Sequence, residues 1–477
     1  MLGGLRVPEQ ACKEETHLAG RKRYSVVRDP VHGDIYLTHE ELAVLDTKEM
    51  QRLRGVRQLG TAYLVYPGSL HTRFDHSIGS VHMTQKLIDS INLSFELDPA
   101  ATIAISEEEA RVIRIAALVH DITHIPFGHN IEDQGGLFAR HDSAYRYRKM
   151  FSKSTGVGRV LEELGVKDDV FSILTKEGTE GRRAIPPYWS QIISGTIAAD
   201  ILDYLARDAY FTGLHLQVDP RVTSYFKIDR ASGNLYIDLS KHDLLREDIL
   251  SEIVRMLEAR YYFSERVYYH HAKVAAGALV ARAVELAVAE GDVAEDDLYD
   301  QTDASILSML EASVQAAPPA LRERVSGLAD RFRERRLPKR VSVFPRYDNE
   351  CVLEALVERF FSKGGEAERS AAEERIRDLA RFATGRELEI IVYCPAKRMQ
   401  LKEARIHVRW PKEEGVRPLS DFSDRVPRLA DLEQSYRNLW KFYVFADEGD
   451  PGLLAKVQEI ARQEFEGATD AYRLSSV

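Results

Sequence analysis

Three histidines and an aspartate fall within one short stretch of the sequence, "ALVHDITHIPFGH" at residues 117–129. His120 and Asp121 are adjacent, and His124 and His129 follow shortly after. Imidazole and carboxylate groups bind divalent transition metals, and imidazole also titrates near neutral pH, so it can move protons. The stretch alone leaves a structural role open, because histidines with satisfied hydrogen bonds are common in protein cores.

The residues before this stretch predict a helix that would position it. Ser106 and Glu109 have the spacing of an N-terminal capping box. Apolar residues then recur at helical spacing, at Val112, Ile115, Ala116 and Val119. We therefore expect His120 at the end of a buried helix, where a rigid scaffold would hold its side chain.

Two distant segments carry further polar groups that could complete a site. "HTRFDHSIGS" places His76 near the start of another helix. "TIAADILDYLARDAYFTG" places Asp200, Tyr204 and Asp208 at successive fourth positions, on one face of a helix. Charged helix faces usually meet water, so this pattern alone favours a solvent-exposed stripe over a polar cleft.

The composition limits the class of protein. The 477 residues are 44% hydrophobic and 29% charged, which is typical of a globular protein of two or three domains. The net charge of −10 gives no reason to bind nucleic acid, although a local basic patch still could. Three widely spaced cysteines suit a reducing compartment. Without a signal peptide or a long apolar run, we expect a cytoplasmic protein and no membrane association.

The periodicity of apolar residues along the chain predicts a mainly α fold. We expect a flexible tail at residues 1–22, a helical domain with short β-hairpins at 23–344, and a small C-terminal α+β lobe at 345–477. "YSVVRDPVHGDIYLT" and "SYFKIDRASGNLYIDLS" are typical of hairpins, and "GLLAKVQEIARQEF" is typical of an amphipathic final helix. Pro318 and Pro319 predict a break between helices.

The ordered set of His76, His120-Asp121 and Asp200 resembles the HD-domain metal-dependent phosphohydrolases. The sequence motifs around these residues make the resemblance closer. "DPVHGDIYL", "QRLRGVRQLGTAYLVYPGSLHTRFDHSIG", "LVHDITHIPFGH" and "DILDYLARDAYFTG" are similar to the deoxynucleoside triphosphate triphosphohydrolase branch, the relatives of the sterile-alpha-motif and HD-domain dNTPase. The similarity is strong over residues 24–275, so the helical domain at 23–344 is identified as an HD phosphohydrolase domain.

This resemblance implies a metal centre and a set of proton-handling groups. The implied metal ligands are His76, His120, Asp121 and Asp200. Two imidazoles and two carboxylates suit one divalent Mn, Fe, Ni, Zn or Mg ion, and the ligand types alone do not choose among them. The implied catalytic histidines are His124, His129 and His141, of which His129 matches the general acid of the related enzymes.

The resemblance also implies a nucleotide-binding set: Gln58, Leu59, Arg73, Tyr204, Asp208, Arg260 and Tyr268. The two arginines match phosphate contacts, and Gln58 and Asp208 match residues that hold the sugar 3′-hydroxyl. Leu59, Tyr204 and Tyr268 match residues that wall the sugar. Such an apolar wall would leave a 2′-hydroxyl unpaired, at about 1–3 kcal/mol, which favours deoxyribose. Ile201 and Tyr269 stand where the vertebrate relatives have a lysine and a glutamine.

Regulation by GTP or dNTP effectors is a further implication of the resemblance. Asp46, Gln51 and Arg54 match guanine-reading residues, whereas Ser25 and Arg28 replace a lysine and an asparagine of the family site. Arg335 and Lys339 of "RRLPK" match the effector-phosphate motif, and chain order favours this match over "RNLWK" at 437–441. The same basic segment could instead be a solvated helix end or a nucleic-acid contact. We expect a homo-oligomer, either dimer or tetramer.

Three functions are consistent with these residues. The leading hypothesis is metal-dependent hydrolysis of dNTPs to deoxynucleoside and inorganic triphosphate. The second is an HD phosphodiesterase or nuclease that acts on single-stranded nucleic acid or a signalling nucleotide, because the same chemistry serves other phosphoesters. The third is a catalytically silent nucleotide-binding regulator. The physiological role of a dNTPase could be nucleotide-pool control or defence against phage.

Overall fold

The computed structural model describes residues 24–132, 137–177, 184–216, 219–290, 293–362, 364–395 and 405–474. The flexible tail expected at residues 1–22 lies outside these described residues. Among the described helices, none combines the length and the apolar character that a bilayer-spanning segment needs.

Helices make up most of the described chain, which confirms the mainly helical fold class. In chain order the helices before the C-terminal sheet are α1 (His39–Leu45), α2 (Lys48–Arg52), α3 (Arg73–Leu97), α4 (Glu107–Val119), α5 (His129–Glu132), α6 (Ala144–Met150), α7 (Gly156–Glu163), α8 (Lys167–Thr175), α9 (Pro187–Ile193), α10 (Ala199–Thr212), α11 (Glu247–Phe263), α12 (His271–Glu290), α13 (Glu295–Leu298), α14 (Ile306–Ser313) and α15 (Pro319–Arg333). One π-helical turn, Ser264–Tyr268, follows α11 directly. The start of α15 at Pro319 confirms the predicted helix break.

Short hairpins accompany this helical body. Its strands are β1 (Tyr24–Asp29), β2 (Gly33–Thr38), β3 (Phe226–Ile228), β4 (Leu235–Asp238), β5 (Ser240–Lys241) and β6 (Leu244–Leu245). β1 pairs antiparallel with β2, and β3 pairs antiparallel with β4, which confirms both predicted hairpins. Gly233 in the second turn has φ +68°, a left-handed conformation that glycine adopts without a steric penalty.

The C-terminal part mixes helices and strands. Its elements are β7 (Lys339–Pro345), α16 (Leu353–Phe361), α17 (Glu366–Thr384), β8 (Ile390–Tyr393), β9 (His407–Arg409), β10 (Arg417–Pro418), α18 (Pro427–Arg437), β11 (Lys441–Ala446) and α19 (Pro451–Glu464). β11 lies between β7 and β8 in an antiparallel sheet that α17 and α19 cover. β9 instead pairs in parallel with β4, so part of this region is built into a sheet of the helical body.

The helix that leads to the histidine-rich stretch lies in the main hydrophobic core. Ser106 accepts a hydrogen bond from the backbone N–H of Glu109, and the Glu109 carboxylate accepts one from the backbone of Ser106, which confirms the capping box. The predicted apolar face of α4 is buried, and α4 ends at His120. α4 packs beside α3, and α3 packs beside α10, so the elements carrying the predicted ligands are neighbours.

Gly79 allows α3 and α10 to approach each other closely. A Cβ atom at this position would overlap the carboxylate of Asp203 and the guanidinium of Arg207, both on α10. Both of these side chains are buried, so neither can move into solvent to make room. The close approach therefore depends on the absence of a side chain at residue 79.

We expect Gly79→Ala to destabilise the protein, because overpacking of this kind costs about 1–3 kcal/mol. Gly327, in the middle of α15, has open space around its Cα, so Gly327→Ala should stabilise by about 0.5–1 kcal/mol through helix propensity. Differential scanning fluorimetry of the two variants would measure both shifts. Thermal midpoints that move in the same direction would contradict the packing described.

Candidate active site

His76 and His120 bring their Nε2 atoms to 3.2 Å from each other. His76 lies in the first turn of α3, His120 ends α4, and both are buried. Nδ1 of His76 lies 2.7 Å from Oδ2 of Asp203, and Nδ1 of His120 lies 2.8 Å from the carbonyl oxygen of Ala117. Both partners are acceptors, so each ring can donate a hydrogen bond from Nδ1 and offer its Nε2 to a metal ion. Such a pair favours a cation between the two rings.

Two carboxylates complete this arrangement. Oδ1 of Asp200, on α10, lies 3.0 Å from Nε2 of His76 and 3.8 Å from Nε2 of His120. Asp121 lies slightly farther away, with its oxygens 3.9 Å and 3.6 Å from the same two nitrogens. The structure thus brings His76, His120 and Asp200 together in a donor set that could hold a divalent metal, with Asp121 beside it.

The electrostatics of the pocket favour a positive charge at this position. Burial alone would lower the pKa of His76, but its hydrogen bonds to Asp200 and Asp203 outweigh burial and raise the pKa to about 10. Burial would raise the pKa of Asp200, yet hydrogen bonds with His120 and His76 bring it below its usual range. A divalent ion that binds at Nε2 would compete with a proton for the same nitrogen.

A buried network behind His76 was missed by the sequence analysis. The carboxylate of Asp203 accepts hydrogen bonds from His76, from Nε2 of His32 at 2.7 Å and from Nε and Nη2 of Arg207, both at 2.9 Å. Arg207 also donates to Asp29 at 2.8 Å. The spacing of Asp203 and Arg207 by one helical turn was a readable signal, but nothing nearby in sequence pointed to their partners. This network fixes the ring orientation of His76.

His124, His129 and His141 form a second cluster beside the candidate metal ligands. The rings of His124 and His141 stack at 3.9 Å, and the ring of His129 lies edge-on to them at 5.3 Å and 5.0 Å. Nε2 of His124 is 3.3 Å from Oδ1 of Asp121, which links the two clusters. His124 is buried and His129, the first residue of α5, is exposed. His129 is therefore the member of the cluster most accessible to a ligand.

A buried ion pair holds this cluster in place. Glu132 lies 3.0 Å from Nδ1 of His141 and 3.6 Å from Nδ1 of His124, and it accepts a hydrogen bond from Arg146 at 2.6 Å. Burial, together with the nearby charge of Arg73, lowers the pKa of His124 to about 4. His124 is therefore neutral at pH 7, so it can accept or relay a proton but is not a general acid at this pH.

Arg73 lies where the two clusters meet. It is the first residue of α3 and is only 4% exposed. Its Nη1 donates to Oδ2 of Asp121 at 2.5 Å, while its Nε has no hydrogen-bond partner among the described residues. Gly128 leaves room for its guanidinium, because a Cβ there would lie 3.0 Å from Nη2. A buried guanidinium with an unused donor is suited to bind an anion such as phosphate.

Asp208, one of the predicted sugar-binding residues, is held by two neighbouring side chains. Asp208 is 1% exposed, so the helix face that it shares with Asp200 and Tyr204 is not the solvent-exposed stripe that its pattern alone favours. Its Oδ1 lies 2.8 Å from Nε2 of His71, and its Oδ2 accepts a hydrogen bond from the Tyr268 hydroxyl at 2.7 Å. The helix period identified the shared face correctly but not the elements that cover it.

The remaining predicted substrate residues lie close by. Oε1 of Gln58 is buried without a hydrogen-bond partner among the described residues, and Leu59 beside it is buried. The ring of Tyr204 is 6.4 Å from that of His76. Arg260 lies near enough to Tyr268 for its charge to act on that phenol, although burial and Asp208 together raise the pKa of Tyr268.

The predicted effector residues lie on two separate segments. Arg54 donates to Oε1 of Gln51 at 2.9 Å, and its guanidinium lies 3.6 Å from the centre of the Phe74 ring. Asp46 is exposed at the end of α1. The other predicted pair, Arg335 and Lys339, is exposed on the segment that enters β7, where Nε of Arg335 donates to the carbonyl of Leu64 at 2.9 Å.

Comparison with known families agrees with the ligand geometry. The family model described as the HD domain matches residues 73–208, the span that holds all four candidate ligands. This part of the chain is therefore similar to the HD domain. A second model, described as the HD associated region, matches residues 242–470, which extends the similarity through the C-terminal part of the chain.

Proteins similar to this chain include named enzymes and an uncharacterized protein. An uncharacterized protein of Methanocaldococcus jannaschii is 29% identical over 426 residues, which are 88% of this chain and 79% of that protein. The deoxynucleoside triphosphate triphosphohydrolase SAMHD1 of Homo sapiens is 28% identical over 51% of this chain and 42% of its own length. The SAMHD1 homolog of Dictyostelium discoideum is 27% identical over 61% and 53%. The chain therefore spans about half or less of the enzymes that are named for this activity.

We expect Asp203→Asn to weaken metal retention by about 10- to 100-fold, because the amide cannot satisfy His76, His32 and Arg207 together. Competition with a chelator, followed by elemental analysis of the protein, would measure the change. Asp34→Asn provides a matched control, since Asp34 is exposed on β2 and pairs with Arg28. Equal metal retention in the two variants would contradict the role given to Asp203.

Proposed function

We propose that this protein hydrolyses deoxynucleoside triphosphates to deoxynucleoside and inorganic triphosphate. The observation that carries this proposal is the convergence of two imidazoles, whose Nε2 atoms lie 3.2 Å apart, with Asp121 and Asp200 beside the Arg73 guanidinium. A divalent ion held by such donors polarises a phosphoryl oxygen and lowers the pKa of water, which supplies a nucleophile at neutral pH.

The residues around this centre would bind the triphosphate and handle the proton. Arg73 and Arg260 would hold phosphate oxygens through paired N–H groups. Water attacks the α-phosphorus and the bond to the 5′-oxygen breaks. His129, exposed beside the buried pair of His124 and His141, would donate a proton to that departing oxygen. The neutral His124 would relay protons to it.

Selection of deoxyribose follows from the neighbouring pocket. Both oxygens of Asp208 already have partners, in His71 and Tyr268, so its orientation toward a sugar is fixed. Gln58 and Asp208 would hold the 3′-hydroxyl, and the apolar wall would leave a 2′-hydroxyl without a partner. An unpaired buried hydroxyl costs about 1–3 kcal/mol, which corresponds to roughly 5- to 150-fold discrimination against ribonucleotides.

We expect the protein with Mn²⁺ to release inorganic triphosphate from dNTPs and not from ribonucleotides, and to leave single-stranded oligonucleotides intact. Chromatography of the products would show this. Asp121→Ala should abolish the reaction, because it removes a candidate ligand and the partner of Arg73. The Asp34→Asn variant should keep full activity.

Other reaction products would favour one of the alternative functions. Shortened oligonucleotides, or cleavage of a signalling nucleotide, would favour the phosphodiesterase or nuclease function. The absence of any reaction with each of the candidate metals would favour a silent nucleotide-binding regulator. Activity that survives Asp121→Ala would contradict the assignment of the metal ligands.

A further inference from the structure

Asp303 joins three separate segments of the chain near the candidate active site. It lies in the connection between α13 and α14, and its side chain is only 1% exposed. Oδ1 accepts a hydrogen bond from the backbone N–H of Phe127 at 2.8 Å, and Oδ2 accepts one from the backbone N–H of Arg57 at 2.9 Å. Its own backbone N–H donates to the carbonyl of Gly55 at 2.9 Å. One carboxylate thus connects two loops that are distant in sequence.

Both loops carry residues that the proposed reaction uses. Phe127 is two residues before His129, the proposed proton donor, and Arg57 directly precedes Gln58, which is proposed to hold the sugar. The hydrogen bonds that the Asp303 carboxylate accepts from these loops come from backbone N–H groups. Its influence on the site would therefore act through the backbone positions of the two loops.

The loop before His129 has a backbone conformation that needs support. Phe127 has φ +57° and Gly128 has φ +46°, so both residues are left-handed. This conformation is unfavourable for a non-glycine residue and persists where surrounding contacts impose it. The hydrogen bond from Phe127 to Asp303 is one such contact, and it also satisfies a buried N–H group. Without it, the direction in which α5 begins would be less well determined.

A second contact ties the same connection to the histidine-rich stretch. Arg52 donates from Nη2 to the carbonyl oxygens of Ile122 and His124, at 3.2 Å and 2.6 Å, and from Nη1 to that of Gln301 at 3.4 Å. Gly55 lies against Thr302, where a Cβ atom at residue 55 would overlap the threonine methyl group. The connection between α13 and α14 therefore fits tightly against both loops.

We propose that Asp303 is a positioning residue of the active site. It fixes the left-handed turn that orients His129, and it holds this turn at a set distance from the loop that carries Gln58. The inference rests on the proposed function, because it takes His129 to be the proton donor whose orientation matters. Asp303 touches no reacting atom in this account. Its effect on the reaction would come from the placement of the proton donor relative to the bound nucleotide.

Asp303→Asn tests this role with little change in side-chain shape. The amide offers one oxygen and turns its NH₂ group toward one of the two backbone N–H donors, so it cannot accept both hydrogen bonds. We expect a fall in kcat for dNTPs of about 10- to 100-fold, typical of a misplaced catalytic group, with unchanged metal content. Hydrogen–deuterium exchange should become faster at Phe127 or Arg57. Asp300→Asn is the matched control, because Asp300 lies in the same connection but is 67% exposed and pairs with Lys48.

A substrate with a better leaving group separates positioning from a merely structural role. Bis(p-nitrophenyl) phosphate releases a stable phenolate that needs no proton from an acid, so its hydrolysis should fall much less than that of dNTPs in Asp303→Asn. Equal loss with both substrates, an unchanged kcat for dNTPs, or unchanged exchange at Phe127 and Arg57 would each overturn the proposal. If the unaltered protein hydrolysed no dNTP, the proposed function would fail, whereas the exchange measurement would still decide whether Asp303 holds the two loops.

Discussion

The contact between the imidazoles of His76 and His120 is the constraint on which the rest of the site depends. Their Nε2 atoms lie 3.2 Å apart, close enough for both nitrogens to bind one cation. The fold keeps them there because Asp203 and the Ala117 carbonyl hold their other nitrogens. α3, α4 and α10 therefore pack around a position that attracts a cation, with Asp200 and Asp121 at its edge.

The site divides into a rigid part and a part carried by loops. The candidate metal ligands lie on or directly after long buried helices, which hold ligand geometry more accurately than loops do. His124 instead lies in the segment between α4 and α5, and His129 is the first residue of α5. The buried ion pair of Glu132 with Arg146 anchors this part of the chain. The arrangement combines rigidly held candidate ligands with proton-handling groups whose placement depends on backbone hydrogen bonds.

Local patterns predicted the elements well, because they depend on residues close in sequence. The capping box at Ser106, the hairpin at Gly233 and the end of α4 at His120 are all present. Patterns could not show what covers a helix face, so the burial of Asp208 was not readable from its spacing. The parallel pairing of β9 with β4 was likewise not readable, since it joins segments from opposite halves of the chain. The hydrogen bonds from His76 to Asp203 and from Phe127 to Asp303 also span long stretches of sequence.

The central claim is that His76 and His120 bind one divalent ion together with carboxylate oxygens. X-ray absorption spectroscopy at the edge of the bound metal tests this most directly, because scattering from imidazole rings is distinct from that of simple oxygen ligands. We expect about one ion per chain, with two imidazole ligands and the remaining ligands oxygen. A stoichiometrically bound ion without imidazole ligands, or a protein that binds none of the candidate metals, would contradict the account.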